Sequence, residues 1–138
     1  MKQEVLLSKA QVLIIEDEPL NAALAVALLA IIGVSQVRVC RSGAELTQVM
    51  EARYPADLVL LDLQLPGDDG FVLCARLRAH PDFAHVPIFA VSALINPETT
   101  LRVEQGGFDG FIGKPFNFDR FPNQIRRALI GERFWEWR

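Results

Sequence analysis

Cysteine is scarce in this chain: two residues in 138, Cys40 and Cys74, each standing alone among apolar or helical positions. They form no CxxC pair and share no ligand spacing with His80 or His85, which argues against a redox motif or a thiolate metal centre. Both are expected to be reduced and buried, in a cytoplasmic protein. Clustered positive charge is missing too. Fourteen Lys and Arg against 17 Asp and Glu give a net charge of −3 with no basic run, so a nucleic-acid surface is not expected. No apolar stretch is long enough to cross a bilayer comfortably. The best candidate, Leu20–Val34, is short, follows Pro19 and contains Asn21. It comes after an apolar strand and an acidic triplet, so it is no signal peptide either. Internal repeats and low-complexity segments are absent.

What remains is an ordinary single-domain composition, 51% apolar and 22% charged, with enough hydrophobic mass for a core. The pattern alternates. Gln11–Ile15 is a short apolar run of the kind buried on both faces of a sheet. Glu18–Gly33 reads as a helix with Pro19 in its first turn and Gly33 as its stop. Further strands are expected at Gln36–Cys40, Asp57–Leu61, Val86–Ser92 and Phe108–Lys114. Further helices are expected at Ser42–Tyr54, Asp68–Ala79, Asn96–Gln105 and about Asn117–Ile130, with Ser42 as an N-cap. Five strand–helix alternations predict an α/β fold, a parallel sheet covered on both faces with right-handed crossovers. Ligands then bind beyond the carboxyl ends of the strands.

The residues just past those ends carry the chemistry. The first strand runs into Glu16, Asp17 and Glu18, the third into Asp62, the fourth into Ser92, and the fifth into Lys114-Pro115. Any one has a plain reading as a turn residue, a helix cap or a solvated lysine. Together on one rim, the carboxylates repel one another and call for a hard cation such as Mg²⁺. A divalent metal, a lysine and a hydroxyl around a carboxylate nucleophile are what a phosphoryl group requires.

The segments "VLIIEDEP", "LVLLDLQLPGDDG", "VSA" and "FDGFIGKPF", in that order, resemble the response-regulator receiver domain of two-component signalling. The resemblance covers about Ala10 to Gly131. It implies the flavodoxin-like (βα)5 fold with strand order 2-1-3-4-5, residues 10–131 being the receiver, 1–9 an N-terminal tail and 132–138 an aromatic C-terminal tail. It implies that Asp62 is the phosphoacceptor. Mg²⁺ would be held by Asp17 and Asp62, by Glu16 through water, and by the backbone carbonyl of Gln64. Lys114 and Ser92 would contact the phosphoryl oxygens. Ser92 and Phe111 would form the switch, and the Lys114–Pro115 peptide would be cis. The donor would be a histidine kinase or phosphotransfer protein. Output would pass through the surface of the fourth helix, fifth strand and fifth helix to a downstream protein target, with no nucleic-acid or membrane partner and a homodimer left open. The chain length leaves no room for an output domain, so a stand-alone signalling receiver, not an enzyme, is expected.

Two other functions compete. A phosphohydrolase built on Asp62 needs a second acid two residues later, where Gln64 stands. A pseudo-receiver, acting as a phosphorylation-independent interaction module, commonly lacks one of the site residues, and all are present here. Several positions depart from the family. Glu16 replaces the commoner Asp. Leu94, two residues after Ser92, is an apolar residue where access of water to the phosphoryl group is tuned. Phe108 is large where a small residue is usual. Phe111 lacks a hydroxyl and has a plain reading as core. Pro122 either restarts the last helix or leaves Asn117–Phe121 as a separate turn. The alanine-rich first helix reads equally as a partner face or a plain high-propensity helix. Phe134, Trp135 and Trp137 either fold back on the domain or join a partner or second copy.

Overall fold

A computed structural model describes residues 7–94 and 96–136; Trp137 of the aromatic tail lies outside the described residues. Five strands and five helices alternate: β1 (Gln11–Ile15), α1 (Pro19–Ile31), β2 (Gln36–Cys40), α2 (Gly43–Glu51), β3 (Leu58–Asp62), α3 (Gly70–Ala79), β4 (Ile88–Ser92), α4 (Pro97–Gln105), β5 (Gly110–Gly113) and α5 (Phe121–Leu129). A sixth strand, β6 (Phe134–Glu136), follows. All six are parallel, in the order β2-β1-β3-β4-β5-β6. The flavodoxin-like arrangement is therefore present, with one strand more than the sequence pattern predicts.

The sheet is double-sided because its strands are apolar on both faces. Leu13, Ile15, Val59, Leu61, Ala90 and Phe111 pack to one side, with residues of α2, α3 and α4. Val12, Ile14, Leu60, Phe89, Val91 and Ile112 pack to the other, with residues of α1 and α5. The period-two alternation of Cβ directions divides each strand between the two cores. Central β3 is buried along its whole length, so Asp62 at its end emerges from a desolvated part of the core.

Local chemistry starts and stops the helices. Ser42 Oγ accepts from Glu45 N at the head of α2, Asp69 from Phe71 N at α3, and Asn96 from Thr99 N at α4, each satisfying a backbone donor that no helix turn can. Arg78 of α3 ties together the segments that lead into β4 and β5. Its guanidinium donates to the carbonyls of Gly107, Phe83, Ala84 and Val86 and pairs with Asp109. Phe108, unexplained by the sequence, is a buried core ring set edge-on to Phe71 at 5.8 Å between centroids.

Pro122 settles where the last helix begins. Residues 117–120 form a separate turn in which Asn117 Oδ1 accepts from Asp119 N and Arg120 N. The helix starts afresh at Phe121, with the proline in its first turn, where no N–H is required. The largest difference from the sequence-based expectation is β6. Phe134 packs against Phe89 at 4.7 Å between centroids, beneath the Arg127 guanidinium at 4.2 Å. Glu136 accepts from Gln124 Nε2 at 3.0 Å. Gly110 makes this docking feasible: a Cβ there would lie 2.2 Å from the Phe134 carbonyl oxygen and 2.3 Å from the Phe89 ring. Both cysteines are free and buried, and burial pushes each thiol up to about 11.

Candidate functional site

The carboxyl ends of β1, β3, β4 and β5 converge on one rim. β1 delivers Glu16, β3 delivers Asp62, β4 ends in Ser92, and β5 leads directly into Lys114. In-register pairing places Asp62 beside Val91 and Ser92 beside Gly113, so residues distant in the chain meet.

Lys114 is the centre of the arrangement. Its Nζ lies 2.6 Å from Glu16 Oε1 and 3.1 Å from Asp62 Oδ2. Asp62 Oδ1 accepts from the Gln64 backbone N–H at 2.8 Å, and Glu16 Oε2 from the Glu18 N–H at 3.2 Å. Glu16 and Asp62 are 5% and 4% exposed, so two carboxylates are held almost out of water by one ammonium and two backbone donors. Burial above all, then the hydrogen bond with Asp62, holds the Glu16 carboxyl above its ordinary value, against the opposing pull of Lys114. Burial is also the largest influence on Lys114 and acts to lower it, but Glu16 and Asp62 together overcome it and the ammonium is held above its usual range.

Carboxylate oxygens of Glu16, Asp17 and Asp62 all lie within 4.8 Å of one another. Three hard oxygen donors so close, facing one lysine, form the kind of donor set that suits Mg²⁺. Ser92 is buried. Its Oγ accepts from Leu94 N at 2.9 Å and donates to Gln64 Oε1 at 3.3 Å. The Lys114–Pro115 peptide is cis. Phe111 is fully buried and opposes Trp135 in the β5–β6 register.

The loop after Asp62 is shaped by a two-residue antiparallel ribbon, Gln64–Leu65 against Asp68–Asp69. Gly70 closes it: a Cβ there would lie 3.2 Å from the Asp62 carbonyl oxygen and 3.0 Å from Leu63 Cα. Two grooves flank the rim. One of 340 Å³ runs past Gln64, Ser92, Leu94 and Arg102, whose guanidinium lies over the Phe71 ring at 3.9 Å. The other, of 250 Å³, is lined by Asn21, Leu24, Ala93, Lys114, Pro115 and Phe116. The structure brings Glu16, Asp17, Asp62, Gln64, Ser92 and Lys114 together, and Phe111 lies in the core beside them. Sequence reasoning missed the Gln64 side chain, since only the ribbon turns it back toward Ser92.

A family model described as the response regulator receiver domain matches residues 12–126. The chain is 34% identical over 118 residues to the polar-differentiation response regulator DivK of Brucella ovis, covering 86% of this chain and 94% of that protein. Among solved structures, it resembles the signal receiver domain of a signal transduction histidine kinase from Syntrophus aciditrophicus, with TM-score 0.78, 30% identity, and coverage of 88% and 91% of the two chains. It also resembles the receiver domain of a Pseudomonas aeruginosa sensor histidine kinase determined with a magnesium ion coordinated in its active-site cleft, with TM-score 0.74, 26% identity, and coverage of 89% and 98%.

Proposed function

Given that this chain belongs to the response-regulator receiver family of two-component signalling, we propose that it accepts a phosphoryl group on Asp62 from the phosphohistidine of a histidine kinase or phosphotransfer protein. The observation that carries the reading is Lys114 Nζ bridging the buried Glu16 and Asp62 carboxylates beside Asp17. In the transfer, an Asp62 carboxylate oxygen forms the new P–O bond. The donor's P–N bond breaks, and its imidazole leaves with the electron pair. Lys114 neutralises charge on the phosphoryl oxygens and Ser92 donates a hydrogen bond to one of them. Asp17 and Asp62, Glu16 through water and the Gln64 backbone carbonyl would hold Mg²⁺, which would supply further charge neutralisation. Water later attacks phosphorus, and the Asp62 carboxylate leaves. The chain is a signalling protein in this reading, promoting its own phosphorylation and dephosphorylation by positioning its groups.

Ser92 and Phe111 carry the switch, and the α4–β5–α5 surface is its output, now including β6 on the β5 edge. The donor protein docks on α1. Leu20, Leu24, Ala27 and Ile31, spaced to share one helix face, are all exposed, with Leu20 and Ile31 at 79% and 74%. This apolar stripe is continuous through Leu24 with the groove that ends at Lys114. No helix among the described residues is long and apolar enough to cross a membrane, and we place the chain in the cytoplasm with its donor's kinase domain.

The test is intact mass after incubation with acetyl phosphate and Mg²⁺. A gain of one phosphoryl group by the wild type, absent in Asp62→Asn, supports the reading. No gain by folded wild type with either acetyl phosphate or a phosphorylated phosphotransfer protein would overturn it in favour of a phosphorylation-independent interaction module.

A further inference from the structure

Gln64 meets the site twice, once through its backbone and once through its side chain. Its main-chain N–H orients Asp62 Oδ1, while its side-chain carbonyl takes the proton of the buried Ser92 hydroxyl. The backbone is held independently of the side chain, by the ribbon register Gln64↔Asp69 and by Asp69 capping α3. We infer that the Gln64 side chain is a latch that keeps the Ser92 hydroxyl turned away from Asp62 until a phosphoryl group arrives.

The inference rests on the phosphoryl-accepting reading. Ser92 has one O–H to give, and in this structure Gln64 Oε1 receives it. Its Oγ also accepts from the Leu94 N–H at 2.9 Å, so the same hydroxyl carries a second contact that reports on its state. A phosphoryl oxygen on Asp62 would compete with Gln64 for the same proton. It wins because a hydrogen bond to a charged acceptor is roughly twice as strong as a neutral one. The released amide faces the open groove, where Gln64 is exposed, and water replaces the lost partner at little cost. The exchange is downhill, but less so than for a hydroxyl with no prior partner. Gln64 therefore sets the threshold at which Ser92 commits. It acts through Ser92, as a positioning residue.

The experiment is a double-mutant cycle on the full chain. The probe is beryllofluoride with Mg²⁺, a tetrahedral mimic of the phosphoryl group, followed by NMR titration of backbone amides. Gln64→Met keeps the side-chain length and removes the acceptor; Gln64→Ala removes both and serves as a second variant. With Ser92 present, either substitution is expected to tighten beryllofluoride binding by roughly two- to fivefold, the scale of one neutral hydrogen bond. In a Ser92→Ala background the same substitutions should change nothing. Without ligand, the Leu94 amide resonance should shift in Gln64→Met, because its acceptor is the freed hydroxyl oxygen. Equal effects in both backgrounds, or weaker binding with Ser92 present, would overturn the latch and leave the receiver reading intact. A wild type that shows no Mg²⁺-dependent beryllofluoride binding would overturn both.

Discussion

Replacing Lys114 with Met tests the electrostatics of the rim directly. The ammonium sits 2.6 Å from one buried carboxylate and 3.1 Å from another, and its own side chain is 16% exposed. Removing one partner of a buried ion pair typically costs 3–5 kcal/mol, because the remaining charge is stranded. Here the lysine reaches solvent and backbone donors remain, so the lower end applies: a loss of about 3 kcal/mol at pH 7.5 in chelator-treated buffer. The loss should shrink on acidification. Glu16 already titrates above its ordinary value of 4.5 in the folded state, chiefly through burial, and losing Lys114 removes the influence that opposes this. A carboxyl raised on folding binds protons more tightly in the native state. Its contribution is complete below the unfolded value and lost as pH rises through the folded one. Lys114 itself is held above 10.5 and stays charged from pH 5 to 7.5, so it adds no slope there. The destabilisation of Lys114→Met relative to wild type should therefore be smaller at pH 5 than at pH 7.5. Mg²⁺ should rescue the variant in part. If its dissociation constant is on the order of 1 mM, then about 10 mM Mg²⁺ restores about 1.4 kcal/mol. The assay is urea unfolding at both pH values, with and without Mg²⁺. A destabilisation that is equal at the two pH values, or greater at pH 5, would refute the reasoning.

The other predictions are local. Leu94 is 48% exposed beside Ser92, and Leu94→Asn should shorten the lifetime of the phosphorylated form severalfold by admitting and orienting water; an unchanged decay of the phosphorylated mass would remove that role. Phe134→Ala should cost about 3 kcal/mol in urea unfolding, as for other buried aromatic truncations, and should raise hydrogen exchange in β5. A loss under 1 kcal/mol would mean that β6 contributes little to the fold. Cys40 and Cys74, each with its thiol pushed up to about 11, should have on the order of one thousandth of their sulfur as thiolate at pH 8. Alkylation followed by mass should then be slow in buffer and fast in urea, and rapid labelling of the native chain would contradict the burial.

The alternation of apolar runs with capped helices was readable along the chain because strand burial and helix capping are local. β1 and β2 lie where Gln11–Ile15 and Gln36–Cys40 predict, and the N-caps Ser42 and Asn96 stand where side-chain oxygens precede helical runs. The acidic group, Asp62, Ser92 and Lys114 were readable for a related reason: a parallel sheet puts every strand's carboxyl end on one rim. The docking of β6 was not readable. "FWE" is too short to carry a period, and its partners, Phe89, Gly110 and Arg127, lie 7 to 45 residues away along the chain. The Gln64 side chain was hidden likewise, since its link to Ser92 spans 28 residues and depends on a ribbon only two residues long. Local preferences thus determined the elements and the rim they share. Tertiary packing alone decided which edge the last three-residue strand closes and where the Ser92 proton points, because both depend on groups that meet only when the sheet is assembled.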